Sequence, residues 1–456
     1  MKILTSIWTF LNRERGLGRR AKARVRTPKQ RRRQRGVALV AVLVAIAVIF
    51  TLTTQFTSNT NVDAIAAANY RDQMRAHFLA RSASNLSELV IRIQQRIDNI
   101  KELSGQVQIT DFADQVLLAF CGNPEEVQAA VGFSTSTTKG LGADVGTCGV
   151  VGQITTEDDK INVNCANASK ETAEVIKSAL DALFYFNGYD PVFEENDAEG
   201  WQRDRARQVA AIIDYVDSDS QRLRERGTSE DYNYETLRDP YKAKNNYIDT
   251  IGEIKLARGV DDRFWSLFGK AFTVYGGCKV NLSALSNSQL IAGILVLAAK
   301  DRNDPVLQDP RKLFALATLV AKAKQFGMQF TKIDDFIEFV KDPSAAVGAL
   351  AGQQSLAGSQ ANAAVGAGVP GLTGGEKLKL DLDKTNLARI ATAGPRRTYR
   401  VQAWGEIERG AKNNDGSPLF PPIRVTINGV WDTKVVPQNA RKPPAPKGAW
   451  VFLKED

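Results

Sequence analysis

Four acidic residues that lie close together in the chain, Asp217, Asp219, Glu230 and Asp231, with Asn233 beside them, are the strongest chemical feature of this 456-residue sequence. They place hard oxygen donors on a stretch that reads as a turn-rich loop after a helix, and calcium takes roughly 6–8 such oxygens from carboxylates, carbonyls and water. The spacing is not that of an EF-hand, because Asp217-Ser218-Asp219 lacks the glycine and the bidentate glutamate at the offsets that loop requires. A solvated acidic loop balanced by Arg222, Arg224 and Arg226 is the competing reading.

Catalysis has no comparable support. The single histidine, His77, falls in an amphipathic helical stretch where a structural role is expected. There is no G-x-S-x-G, no Walker-type glycine loop, and no serine or cysteine paired with a histidine. The chain therefore reads as a non-enzyme without an organic cofactor. Four cysteines, Cys121, Cys148, Cys165 and Cys278, form no CxxC pair, which argues against zinc. An even count in an oxidising compartment favours disulfides. Of the three pairings, Cys121–Cys148 with Cys165–Cys278 is preferred, and buried free thiols are the alternative.

The elements that must carry these residues follow from periodicity and composition. From Val37 to Val62 no side chain is charged, a run of 26 residues. About 20 helical residues at ~1.5 Å each cross a hydrocarbon layer, so 37–57 is expected to span a membrane. Neither Pro nor Gly interrupts 37–103, which predicts one long helix whose second half packs on a globular head. Residues 104–170 mix a short helix (111–120) with strand-like pieces at 145–154 and 160–164. Helical patterns dominate 171–345, at 174–186, 201–216, 311–325 and 333–340. A Gly/Ala-rich tract, 346–375, is expected to be a flexible loop. Strand alternation returns in 376–456, at 398–407 and 423–430, around the turn Asn413–Gly416. The expected fold class is α+β: a long N-terminal helix packed on a small antiparallel sheet, with a large, mostly helical domain inserted.

Ahead of the apolar run, residues 1–36 hold thirteen Lys/Arg against one acid, Glu14. The whole chain is +9, so the part beyond the leader is mildly acidic and its basicity says nothing of nucleic acid. Basic flanks stay cytoplasmic, which predicts a single-pass protein of the inner membrane with its N-terminus inside and its head in the periplasm. The leader ends at Arg35-Gly36 and the greasy run opens at Val37, an arrangement resembling type IV pilins and pseudopilins, whose leader a prepilin peptidase removes. An uncleaved anchor is the competing reading.

The order of motifs resembles one family in particular, the K-type minor pseudopilins of type II secretion. Arg35-Gly36-Val37-Ala38-Leu39-Val40 matches the processing junction, and Lys160-Ile161-Asn162-Val163-Asn164 the segment leading out of the pilin strands. Asp214-Tyr215-Val216-Asp217-Ser218-Asp219, followed by Gly227, Glu230 and Tyr232-Asn233-Tyr234, resembles the family's W-x-D-x-D…G-x-E…Y pattern, with Tyr215 in place of Trp. Ile251–Val260 and Val280-Asn281-Leu282-Ser283 continue the series. Ala41 stands fifth after the cut, where most pilins carry glutamate and this family does not. The resemblance implies cleavage between Gly36 and Val37, calcium in the inserted domain, and a place at the pseudopilus tip. It also implies as partners the I- and J-type minor pseudopilins, the major pseudopilin, the inner-membrane assembly platform, the peptidase and membrane lipid.

One rival belongs to another class. Glu253–Phe268 reads as helix, Gly-Val turn, helix, the pattern of helix-hairpin-helix modules that a membrane-anchored DNA-uptake protein would use. Over 171–345, however, 23 Lys/Arg face 28 Asp/Glu, whereas backbone binding needs clustered positive charge. The motif is expected to be a packing unit and no nucleic-acid partner is expected.

Overall fold

A computed structural model describes residues 28–100, 108–121, 146–197, 199–223, 228–323, 330–343, 378–408, 420–435 and 448–455, with side chains from residue 37 onward. Most of the basic leader, the last residues of the helix expected over 37–103, Arg224, Arg226, Gly227, the tract 346–375 and the turn Asn413–Gly416 lie outside the described residues. The longer helices are α1 (Pro28–Asp98), α2 (Ala113–Cys121), α3 (Lys170–Leu183), α4 (Arg205–Val216), α5 (Asp262–Phe268), α6 (Ser288–Ala298), α7 (Pro310–Ala323), α8 (Ile333–Lys341) and α9 (Lys384–Ile390). The strands are β1 (Thr147–Val150), β2 (Thr155–Thr156), β3 (Ile161–Asn162), β4 (Phe272–Thr273), β5 (Val280–Asn281), β6 (Ala391–Thr392), β7 (Thr398–Ile407), β8 (Ile423–Asp432) and β9 (Ala449–Glu455). The fold is α+β.

Two units are distinct, residues 1–71 and 72–456. In the first, α1 exposes every residue from 37 to 67. It is the one helix among the described residues that is long and apolar enough to cross a membrane. The hydroxyls of Thr51, Thr53 and Thr60 donate to the carbonyls of Ala47, Ile49 and Phe56, one turn back. Such internal pairing satisfies polar groups where hydrocarbon offers them no partner.

In the second unit, α1 buries Ala76, Ala80, Ala83, Ser87, Val90 and Gln94, spaced alternately by four and three, which is one helical face. That face meets a mixed-length antiparallel sheet in the order β1-β7-β8-β9, with β2 also on β7. Along β7 the alternate residues Tyr399, Val401, Ala403 and Ile407 point inward and are buried. Gly405 completes that row. A Cβ there would sit 2.2 Å from Ala76 O and 2.4 Å from Ala80 N, so glycine is what lets the helix backbone lie on the strand. Cys121 at the end of α2 is bonded to Cys148 in β1, and Arg396 holds Asp111 through two nitrogens at 2.6 and 3.2 Å.

The chain between β2 and β7 builds the larger core. It starts at Ile161, Val163, Cys165 and Ala166 and takes in Leu378, Leu380, Leu382, Leu387, Ile390 and Ala391. The helical block therefore exceeds the expected 171–345 at both ends, because the strand-like 160–164 and the stretch 378–391 pack there and not on the sheet. Phe184, Phe193, Phe264 and Phe268 form its aromatic centre, and Cys165–Cys278 ties its first strand region to the segment before β5. Gly293 of α6 sits so close to α3 that a Cβ would fall 1.8 Å from Ala182 O. Two parallel pairs, β3–β4 and β5–β6, frame the block.

Several element bounds differ from expectation for local reasons. α1 ends at Asp98, short of 103, since Asn99 and Ile100 donate to the carbonyls three residues back and tighten the turn. α4 starts at Arg205, not 201, because the Asp204 carboxylate caps Arg207 N while Trp201 N is taken by Asp197. α3 spans 170–183 instead of 174–186, started by a Ser169–Thr172 capping box. Of the described part of the 145–154 stretch, 146–154, only 147–150 is strand, and Gly152 turns at φ 67° to bring 155–156 onto β7.

Candidate metal centre

The last turn of α4 carries Asp214, buried like the Tyr215 and Val216 that follow it, and the chain leaves the helix at Asp217. It returns through the bridge Gln221↔Ser229, which delivers Glu230 beside α4. The result is that Asp214, Asp217 and Glu230 each offer an oxygen, and these oxygens all lie within 4.8 Å of one another. Glu230 is 1% exposed, yet both its oxygens lack a hydrogen-bond partner. Asp217 Oδ1 and Asn245 Oδ1 are also buried without one. Leaving charged oxygens buried and unsatisfied is costly, and a cation is the ordinary remedy.

The electrostatics agree. Burial, with the nearby Asp214 and Asp219 charges, pushes Asp217 up to about 7. Burial raises Asp214 to about 7 despite the Leu223 amide and the Arg222 charge. Glu230 goes up to about 8, first through burial and then through Asp217, Asp214 and Asp219. Three neighbouring carboxyls forced toward neutrality, chiefly by burial, are a site short of positive charge. All-oxygen chemistry of this kind suits a hard divalent ion.

Of the four acids singled out in the sequence, Asp217 and Glu230 come together here. Asp219 is exposed and caps Gln221 N, while its backbone carbonyl accepts from Asn245 Nδ2. Asp231 turns the other way, its Oδ1 accepting from Ala243 N at 3.1 Å. The side chain of Asn233 lies outside the described residues. Asp214 was not among the expected ligands, although its position three residues before Asp217 puts both on one side of the helix end. Asn245, which sequence reading also passed over, has its backbone held by Tyr215 O and is the sole non-glycine with positive φ, 46°, among the described residues.

The helix-turn-helix stretch at 251–268 is occupied with its own packing. Its first half is a 3-10 helix, 251–256, and Gly259 makes the turn at φ 79° against Gln208. Arg258 pairs with Asp197 at 3.0 Å, the two side chains 6% and 8% exposed, and Arg203 holds Gly259 O and Asp261. Lys255 pairs with Asp262. Arg258 and Arg203 serve the interior of the block, while the Lys255 pair lies at its surface. His77 joins α1 to β9 through Glu455 at 2.8 Å.

Residues 160–276, the stretch holding Asp214, Asp217, Glu230 and Asn245, match the family described as Type II secretion system (T2SS), protein K. Among solved structures, a similar chain comes from the GspK-GspI-GspJ complex of the enterotoxigenic Escherichia coli Type 2 Secretion System. It is 13% identical with a TM-score of 0.44, over 86% of this chain and 99% of that one. No curated protein matches the chain.

Proposed function

We infer that this chain, a protein K-type minor pseudopilin of the type II secretion system, helps to initiate and cap the tip of the pseudopilus that moves folded proteins across the outer membrane. The observation that carries this reading is the protein K match over 160–276, the half of the helical block that holds the acidic site. The role is mechanical and needs no enzyme chemistry. Prepilin peptidase cuts between Gly36 and Val37, and the mature helix stays in the inner membrane, N-terminus inside, until it joins its neighbours. The bare apolar surface of 37–67 then exchanges lipid for other helices, which the small side chains of Ala38, Ala41, Ala45 and Ala47 favour.

Position at the tip follows from two features. An ionised carboxylate in hydrocarbon costs several kcal/mol unless paired, and at the tip there is no subunit ahead to pair with it. Ala41 in place of the usual glutamate removes that cost. A helical block inserted into so small a sheet is also poorly suited to stacking in every layer of a thin fibre. The partners are then the I- and J-type minor pseudopilins, with the major pseudopilin and the inner-membrane assembly platform below.

Calcium is the cation that the acidic site suits best. Asp214, Asp217 and Glu230 would hold it, and its charge would offset three carboxylates that now oppose one another. Bound there, it fastens the end of α4 to the turn at Glu230. Intact-mass analysis of the membrane form, made with and without prepilin peptidase, tests the processing step. A mature N-terminus at Val37 is expected, and an unprocessed leader in the presence of the enzyme contradicts the reading.

A further inference from the structure

The chain leaves the sheet for the helical block after β2 and comes back just before β7, and both crossings are charged. The outgoing one is Glu157-Asp158-Asp159, and the returning one is Arg396-Arg397, with Arg400 just inside β7. They are bonded to each other. Glu157 N donates to Thr398 O at 3.0 Å, and the Asp158 carboxylate accepts from the amides of Arg397 and Thr398, the latter at 3.2 Å. Glu157 is 1% exposed, and one of its oxygens holds both Arg400 of β7 and Lys160 at the entry to β3. Burial works against its charge, yet the bonds to Arg400 and Lys160 hold its carboxyl below the ordinary range. On the block side, Asp158 O accepts from Asn281 N at 2.8 Å, and Asp159 accepts from the Ser286 hydroxyl. On the sheet side, Arg396 holds Asp111 and Arg397 holds Asp432 at the end of β8. Gly276 of the block closes over the crossing, where a Cβ would sit 2.9 Å from Thr398 Oγ1 and 3.3 Å from Asp158 Oδ1.

The hydrophobic cores of the block and of the sheet share no residue. Core packing therefore does not set the angle between them, and parts that meet across a polar interface move relative to each other by default. A buried network of charge-assisted bonds behaves differently, because its directional contacts are all satisfied in one arrangement only. We propose that Glu157, Asp158 and Asp159 form a rigid joint that holds the helical block at one fixed angle on the sheet. The joint goes beyond the tip reading above, and only its consequence for export rests on that reading. A block swivelling freely at the fibre's end would not transmit a push delivered through the sheet. A block locked to β7 by both crossings does.

The test is pulsed electron paramagnetic resonance on the full chain in detergent micelles, with spin labels on Gln402→Cys of β7 and Glu174→Cys of α3, both exposed positions. The parent is expected to give one narrow distance population. Glu157→Gln combined with Asp158→Ala should widen that population about twofold or more, while helical content by circular dichroism stays level, since neither core is touched. Arg400→Gln, which removes only the partly exposed partner of Glu157, should widen it by less and decides the matter if the double change lowers helical content. A broad population in the parent, or variants as narrow as the parent, overturns the joint. Secretion of a type II cargo by cells carrying the double variant reads the consequence, and it is expected to fall while the chain remains in the membrane. Undiminished secretion beside a widened population keeps the joint and removes its part in export.

Discussion

Asn162 and Asn281 do the same work at two places in the helical block. Each ends a two-residue strand, β3 or β5, that pairs in parallel with a strand far along the chain. Each uses Oδ1 to accept the amide two residues on, from Asn164 and Ser283, and Nδ2 to donate to a glycine carbonyl, Gly276 or Gly394. The flanking sequences, Lys160-Ile161-Asn162-Val163-Asn164 and Lys279-Val280-Asn281-Leu282-Ser283, share that logic: alternating apolar residues pack inward while the asparagine satisfies backbone groups that so short a strand leaves over.

Asn281→Ala should therefore leave the Ser283 amide and the Gly394 carbonyl unmatched in a site only 5% exposed. An unsatisfied buried group costs about 1–3 kcal/mol. Denaturant unfolding should show a loss of that order, and a change within error would remove the asparagine from the list of stabilising residues.

Gly405→Val tests the seat of α1 on the sheet. A side chain there meets backbone atoms, Ala76 O and Ala80 N, and neither can rotate away. Overpacking of this kind costs about 1–3 kcal/mol or more. The variant is expected to melt at lower temperature with raised protease sensitivity. Unchanged melting would show that α1 does not lie directly on Gly405.

Stability of the metal-free protein should fall as pH rises. Asp214, Asp217 and Glu230 are held above the ordinary carboxylate range in the folded state, at about 7, 7 and 8. Between about pH 4 and pH 8 the folded state therefore keeps protons that the unfolded state has lost, and the linkage slope is negative. In chelator, the contribution of these groups should be complete below about pH 4 and lost by about pH 8. Calcium should flatten the profile by favouring the ionised forms. Equal midpoints with and without calcium at pH 8 would show that no cation is held.

Replacing Cys165 and Cys278 together by serine should destabilise the helical block, since the bond closes a separation of 113 residues. Removal of a native disulfide costs about 2–5 kcal/mol. The expected result is a lower unfolding midpoint that added reductant reproduces in the parent protein.

How much of this was readable in the sequence depended on whether a residue's role is local. β7 was found in full because its inward residues alternate strictly from Tyr399 to Ile407. α6 was missed because Leu290 through Val296 are apolar on every side, a buried helix with no polar face to mark its period. In the acidic site, Asp217 and Glu230 could be named from type and proximity. Asp214 and Asp231 could not be told apart that way: one is buried at the end of α4 and faces the others, while the other is turned to the Ala243 amide. Asn245 comes beside Glu230 only through the fold of the stretch that carries it, and sequence distance hides such neighbours. The boundary of the helical block was missed for a similar reason, since Leu378 to Ala391 join its core from across the 346–375 tract.

Placement at the fibre's end is the claim on which the functional account turns. It is tested most directly by labelling a single epitope on the full-length chain and imaging pseudopili assembled with the native I- and J-type subunits. One label per fibre, at one end, is the expected result. Labels recurring along the shaft in proportion to fibre length would contradict it.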